Sequence, residues 1–496
     1  MKHTILCAVL LVAVSLTALA FVYLHGYTLY YGDAEAHLNI ARRSIDSRTP
    51  GPEQLGTAWL PLPHLLMTPL AVPSPLGDKL WRNGLAGAIP SAICFVIAGL
   101  FLFASAQRVF SNTAAWAALA VFALNPNMLY LQSIPMTESI FAAAVMALLW
   151  ATIRYRESAS IKFVWIAAAA SIAASLTRYE GWFLIPFVAL FFLSNKAHAF
   201  VFATLAALGP VSWLAHNQFY FSDALAFYHG PYSAMAIYQR QLAQGLARYP
   251  GDHDWIKAVQ YFYAAVTSVA GWPVIILAFA GLGGAVFQSK LRWPLLLLSL
   301  SPLFYVISMH SSGTPIYVPQ FWPHSWYNTR YGLAALPLAA FCVAALVTQL
   351  PRRIGWAAVA LAAIFSASAS PICFKESQVN SEARRAWTRA AASYLKQHLE
   401  PNATLIYYFG DLTGVLRQSG LQLRQGLHQD NGVAWDTAII RPDLFLHDEW
   451  ALAIADDPVS LALRKAQQIG LPYDLVLQVT NPGASAVEIY RRKPLN

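Results

Sequence analysis

Charge is scarce in this chain. Of its 496 residues, 11% are Asp, Glu, Lys or Arg, while 57% are hydrophobic. A water-soluble domain carries about a quarter charged residues, so a wholly soluble protein is excluded. Apolar runs with almost no charge recur along most of the length, which reads as a polytopic membrane protein. Cysteine is scarce too. Cys7, Cys94, Cys342 and Cys373 fall in apolar segments or at their edges and form no CxxC pair. That pattern suggests neither a zinc site nor a disulfide framework, and the thiols read as small buried hydrophobes.

Acidic residues are nearly missing from one set of connections. Lys2, Arg108, Arg154, Arg156, Lys162, Lys196, Lys290, Arg292, Arg352 and Arg353 lie between apolar runs on one side, against Glu157 alone. The loops of the other side balance ten basic with ten acidic residues, and the tail from Lys375 holds thirteen of each. Raw Lys and Arg counts therefore tie between the two sides. The first ten are concentrated in very short loops, and that density places their side, and the N-terminus, in the cytoplasm. The net charge of +9 needs no nucleic-acid partner.

Eleven spans are predicted, at about 5–24, 84–106, 113–131, 135–153, 163–177, 181–194, 199–219, 259–287, 292–310, 331–350 and 354–372. Ala18-Leu19-Ala20 has the look of a signal-peptidase site, but the first apolar run is long enough to span and is read as an uncleaved helix. The segments 163–177 and 181–194 are short, so they either tilt or form a re-entrant hairpin with Thr177-Arg-Tyr-Glu180 at its tip. Residues 34–47 of the first outer loop can form a short helix. Pro61 and Pro63 are expected to prevent a regular helix in the aromatic stretch that follows. Gly281-Leu-Gly-Gly284 reads as close helix packing, and 233–248 as an amphipathic surface helix. The expected division is a transmembrane domain over 1–372 and an extracytoplasmic domain over 375–496. In that tail a helix is expected at 381–398, strands near 404–409, 450–454, 473–477 and 486–490, and a helix at 458–469. The fold class is thus mainly α, with a small soluble α/β domain at the end. The tail contains no P-loop, HExxH or dinucleotide fingerprint.

The long loops lie on the outer side, and loops carry function. Tyr31-Gly-Asp-Ala-Glu-Ala-His37, directly after the first span, sets two carboxylates and an imidazole at the membrane edge. Asp33 suits a general base; it suits a helix N-cap equally well. Asp33 and His37 stand four residues apart on one helix face and read as an ion pair, while a divalent ion on Asp33-x-Glu35 stays open. Thr137 and Glu138 read as the start of a helix, with Glu138 also a candidate neighbour of substrate or of an arginine. Arg178 and Glu180, flanking Tyr179 between two apolar segments, are costly at membrane depth and usually face a cavity or each other. Arg178 could grip a phosphate with its forked donors. Arg330-Tyr331, heading another span, is a second candidate clamp.

The order of these motifs resembles the GT-C glycosyltransferases. A span is followed by Gly32-Asp33-Ala-Glu35, then Asn125-Pro126 through Met136-Thr-Glu138, then Leu176-Thr-Arg178-Tyr-Glu-Gly181, then Arg330-Tyr331 through Leu336-Pro337. More narrowly, residues 1–372 are similar to the dolichyl-phosphate-mannose–protein mannosyltransferase and aminoarabinose-transferase-like branch. The resemblance implies an inverting enzyme of the cell membrane that takes a sugar from a polyprenyl-phosphate donor. The acceptor would be a hydroxyl of protein, lipid or glycan on the extracytoplasmic face. It implies Asp33 as catalytic base, with Glu35, His37, Glu138, Arg178, Tyr179, Glu180, Arg330 and Tyr331 at the substrate. The family often has adjacent Asp-Glu where Ala34 here separates Asp33 from Glu35. A transporter or flippase of lipid-linked sugars is the rival reading, against which stand the absence of a clear internal repeat and the heavy outer loops.

Overall fold

The computed structural model describes residues 2–285, 289–468, 470, 473–482 and 484–493. Residues 286–287 and 469, at the ends of two expected segments, lie outside the described residues. The chain divides into two compact units. One takes Met1–Tyr27, Thr57–Pro63 and Ala88–Glu376; the other takes Thr28–Gly56, His64–Gly87 and Ser377–Asn496.

The first unit is helical. Among the described residues, seven helices are long and apolar enough to cross a membrane, including Lys2–Leu24, Glu138–Ser158 and Lys196–Phe221. Counting each bent helix pair as one span gives up to nine. The remaining two of the eleven expected spans are the shorter apolar helices Ile161–Ser175 and Glu180–Leu190. The expected spans 113–131 and 259–287 are not straight. Asn112–Ala123 and Pro126–Gln132 meet at 65°, and Trp255–Ala270 and Trp272–Ala285 at 109°. The first break follows from Pro126, which cannot donate into a continuing helix. The second occurs at Gly271, whose φ of 84° is left-handed.

A broken helix frees backbone groups, and within a membrane these must find protein partners. Asn125 and Asn127 supply them. The Asn125 side-chain oxygen accepts from the Asn127 and Met128 amides at 3.0 and 3.2 Å. Both side-chain amides donate to the Val269 carbonyl, and that of Asn127 donates also to Ser370 O, at 2.8–2.9 Å. Cys373 N donates to Asn127 Oδ1 at 2.8 Å. The Asn-Pro-Asn stretch thus closes three helix interruptions at once. Elsewhere small residues let helices approach. A Cβ added at Gly281 would lie 1.9 Å from the carbonyl oxygen of Cys342 on Leu336–Thr348.

The second unit holds a five-stranded mixed sheet. Its strands are β1 (Leu405–Tyr407), β2 (Gly426–Leu427), β3 (Trp450–Ile454), β4 (Tyr473–Val479) and β5 (Val487–Arg492), in the order β2-β1-β3-β5-β4. β1 is parallel to β2 and β3, while β5 runs antiparallel to β3 and β4. The helix Pro458–Gln468 connects β3 to β4.

Thr28–Gly56 and His64–Gly87, most of the first outer loop, belong to this unit, while Thr57–Pro63 belongs to the helical one. The reason is burial. Leu38 and Trp81 join Trp387, Leu395, Leu405, Tyr407 and Trp450 in one apolar core. Arg42, fully buried, donates to Asp46 at 2.7 Å, to Ala71 O at 2.7 Å and to Asp78 at 2.6 Å, and it also bonds Gln422. Arg43 pairs with Asp430, and Arg48 with Asp448. The stretch after Trp59 differs from expectation. A short helix covers Leu62–Met67, because Pro63 falls in its first turn, where a missing N–H costs nothing.

Candidate functional site

Five of the residues singled out in the sequence meet in the helical unit. A cleft enclosing about 580 Å³, counting space open to solvent, is lined by Glu138, Arg178, Glu180, Tyr305, Arg330 and Tyr331. Its apolar wall includes Phe122, Phe141, Val145, Met146, Leu298 and Leu333. The charged groups enter from helix ends. Glu138 opens Glu138–Ser158, Glu180 opens Glu180–Leu190, and Arg330 lies in the 3-10 turn Thr329–Ala335. Gly181 makes the tight corner after Arg178 feasible: a Cβ there would come within 2.4 Å of the Ala174 backbone.

Glu138 lies between the two arginines. Its Oε1 is 2.9 Å from Arg178 Nη1 and 3.2 Å from Arg330 Nε. Arg178 also donates to Thr137 Oγ1 at 2.7 Å and to Glu180 at 3.2 Å, and its Nη2 bonds the Tyr305 hydroxyl. That hydroxyl in turn donates to Glu180. Thr137 stands at the N-cap position of its helix but makes no capping bond with its side chain; its hydroxyl serves Arg178. Tyr305 and Tyr331 stack with centroids 4.7 Å apart. The Arg178 and Arg330 guanidinium carbons lie 5.4 and 4.9 Å from the Tyr331 ring centre, within cation–π range.

Nε and both Nη atoms of Arg178 are thus engaged by protein groups, so this side chain organises the cleft. Glu138 Oε2 is buried without a hydrogen-bond partner, a costly arrangement that marks a place for a donor. Tyr179 points elsewhere: its hydroxyl donates to Ala58 O at 2.9 Å and its ring stacks on Phe227. Tyr305 was not foreseen from the sequence. A lone tyrosine in an apolar, proline-containing span was the available signal.

Asp33, Glu35 and His37 occupy the helix Gly32–Arg43 of the second unit. The N-cap is Tyr31, so Asp33 lies inside the first turn and is not the cap. It is partly exposed. Glu35 is buried, with one carboxylate oxygen accepting from Arg384 and the other from Arg417, both at 2.8 Å. Arg384 also donates to Tyr30 O at 2.8 Å, which ties down the start of the helix carrying Asp33. His37 Nδ1 lies 2.9 Å from Nε2 of His64. His64 is fully buried, and desolvation, then His37 and Arg43, hold its imidazolium well below the usual range.

Asp411 stands near this group, 3.8 Å from Arg384. Desolvation, then the charges of Glu35 and Asp33, push its carboxyl upward against the pull of Arg384. With both oxygens of Glu35 held by arginines, the Asp33-x-Glu35 pair does not fit a divalent ion. Among the described residues no group of three or more His, Cys, Asp or Glu could hold a metal.

Comparison with known proteins adds the following. The family described as dolichyl-phosphate-mannose-protein mannosyltransferase matches residues 79–216. No curated protein sequence matches the chain. The fold is similar to that of ArnT from Cupriavidus metallidurans bound to undecaprenyl phosphate, with 14% identity, 97% of each chain covered and a TM-score of 0.65. The apo state of the same protein gives 14%, the same coverage and 0.60. The Archaeoglobus fulgidus oligosaccharyltransferase in complex with Zn and sulfate gives 11% identity and 0.50, over 97% of this chain and 72% of that one.

Proposed function

We propose that this chain, a multi-pass membrane protein whose fold is similar to that of ArnT, is a glycosyltransferase similar to the protein mannosyltransferase and aminoarabinose-transferase-like branch. It moves a sugar from a polyprenyl-phosphate donor to a hydroxyl acceptor on the extracytoplasmic face of the cell membrane, with inversion. The cleft carries this reading, because it joins an apolar wall, suited to a prenyl chain, to two arginines and two tyrosines. Its similarity to ArnT, whose structure was determined with undecaprenyl phosphate bound, supports a lipid phosphate as the ligand.

In the proposed reaction the acceptor oxygen attacks the anomeric carbon. Its proton passes to Asp33. The bond from the anomeric carbon to the phosphate oxygen breaks, and polyprenyl phosphate leaves. Arg178 and Arg330 together stabilise the charge that develops on the leaving group. Glu138, Glu180 and Tyr331 keep both guanidinium groups in place. Glu35 positions the helix bearing Asp33 by binding Arg384 and Arg417, and His37 does so through His64.

Purified protein incubated with a panel of labelled polyprenyl-phosphate sugars tests this. Acceptor-dependent release of polyprenyl phosphate, with an inverted glycosidic product, is expected. Movement of the labelled lipid across vesicles without bond cleavage would instead favour the transporter reading.

A further inference from the structure

Glu376 plays no part in the account above, yet it is tied to the turn that carries Arg330. It is 2% exposed, and both carboxylate oxygens point at that turn. Asn328 N donates to Oε1 at 3.0 Å, and Thr329 N donates to Oε2 at 2.9 Å. The Thr329 hydroxyl donates to Oε2 as well. Thr329 is fully buried, and Asn328 nearly so. Asn328 has a left-handed φ of 55° and is anchored from its side chain to Pro315 O at 3.0 Å. These amides open a helical stretch, so no intrahelical carbonyl can receive them. Without Glu376 they would be buried and unsatisfied.

The next two residues are Arg330 and Tyr331, which face the cleft. The backbone that aims them is therefore set by one carboxylate. A glutamate can satisfy both amides and the hydroxyl, since all its lone pairs accept. A glutamine turns an NH2 group toward one of these donors and loses that arrangement.

We infer that Glu376 is a positioning residue: it holds the Asn328–Thr329 corner so that the Arg330 guanidinium meets the donor phosphate. This rests on the proposed role of Arg330. No contact between Glu376 and substrate is required.

The test measures binding of a labelled polyprenyl phosphate to the full-length protein, with a polyprenol of equal length as the phosphate-free control. Wild type, Glu376→Gln, Arg330→Ala and the double variant are compared. Glu376→Gln is expected to weaken phosphate-lipid binding about tenfold, in line with the loss of a charge-assisted contact, while polyprenol binding stays unchanged. In the Arg330→Ala background the same substitution should add nothing, because its effect runs through that side chain. Should Glu376→Gln fail to fold, Thr329→Val removes only the hydroxyl bond and should weaken binding in the same selective way.

Unchanged binding in Glu376→Gln, or an equal loss with and without Arg330, would overturn the inference and leave the role of Arg330 standing. An equal loss for polyprenol would overturn it as well, by showing a general packing defect. Unchanged binding in Arg330→Ala would instead remove the role of Arg330, and this inference with it.

Discussion

Two clusters of arginine and glutamate, one in each unit, use the same chemistry in different ways. In the second unit Glu35 gives each oxygen to a different arginine, and every contact is short and buried. In the helical unit Glu138 shares a single oxygen between two arginines, leaves the other without a partner, and lines a cleft. Closed pairing is what a structural cluster needs, since a buried charge left alone is heavily penalised. Open pairing leaves one buried acceptor for something else. On the proposed reading, the difference separates a cluster that holds a helix in place from one that receives a ligand.

The sharpest way to break this comparison is Glu35→Gln. Removing one partner of a buried network takes from Arg384 and Arg417 the carboxylate they share, at about 3–5 kcal/mol. Chemical denaturation of the purified protein should report that loss, while the protein that remains folded keeps its affinity for lipid phosphate. A stability change below about 1 kcal/mol would mean that the cluster is not structural.

The corresponding change in the open cluster is Tyr305→Phe. It removes a hydroxyl that accepts from Arg178 and donates to Glu180, and should cost about 1.5–3 kcal/mol. It should also weaken lipid-phosphate binding, because Arg178 loses one of its restraints. Equal effects of Glu35→Gln and Tyr305→Phe on binding would erase the distinction drawn here.

Acid provides a smaller handle on the second unit alone. His64 and His428 are buried, and desolvation with Arg43 nearby holds both well below their usual 6.5. Their folded-state pKa values are depressed, so the unfolded chain binds more protons as pH falls below 6.5. Stability is then lost in that direction, by up to about 1.4 kcal/mol per pH unit for each group. Asp411, pushed upward, acts in the opposite sense. An unfolding midpoint that falls between pH 7 and pH 5, with a shallower slope in His64→Gln, is expected. The smallest effect belongs to the thiols. All four cysteines are free, so a reducing agent should change neither activity nor the unfolding midpoint.

Much of this arrangement was legible in the sequence. Hydropathy alone located a helix at each expected span, since twenty apolar residues leave few other options. The charged residues Glu138, Arg178, Glu180 and Arg330 were conspicuous because charge is expensive among such neighbours. Two kinds of information were not legible. Bends at Asn125-Pro126 and Gly271 depend on partners distant in sequence, such as Val269 and Ser370, which no local pattern names. The packing of Thr28–Gly56 with the tail depends on long-range pairs, Arg43 with Asp430 and Arg48 with Asp448, whose members look like ordinary surface charges when read alone. Glu376 escaped notice for the same reason: it looks like the first acid of a polar tail.

The central claim is that Asp33 removes the acceptor proton. The most direct measurement is the single-turnover rate of sugar transfer by Asp33→Asn, with lipid-phosphate binding and unfolding checked in parallel. The rate should fall by about 10²–10⁴-fold, while binding and stability stay at wild-type values. Transfer at the wild-type rate by a folded, donor-binding Asp33→Asn protein would contradict it.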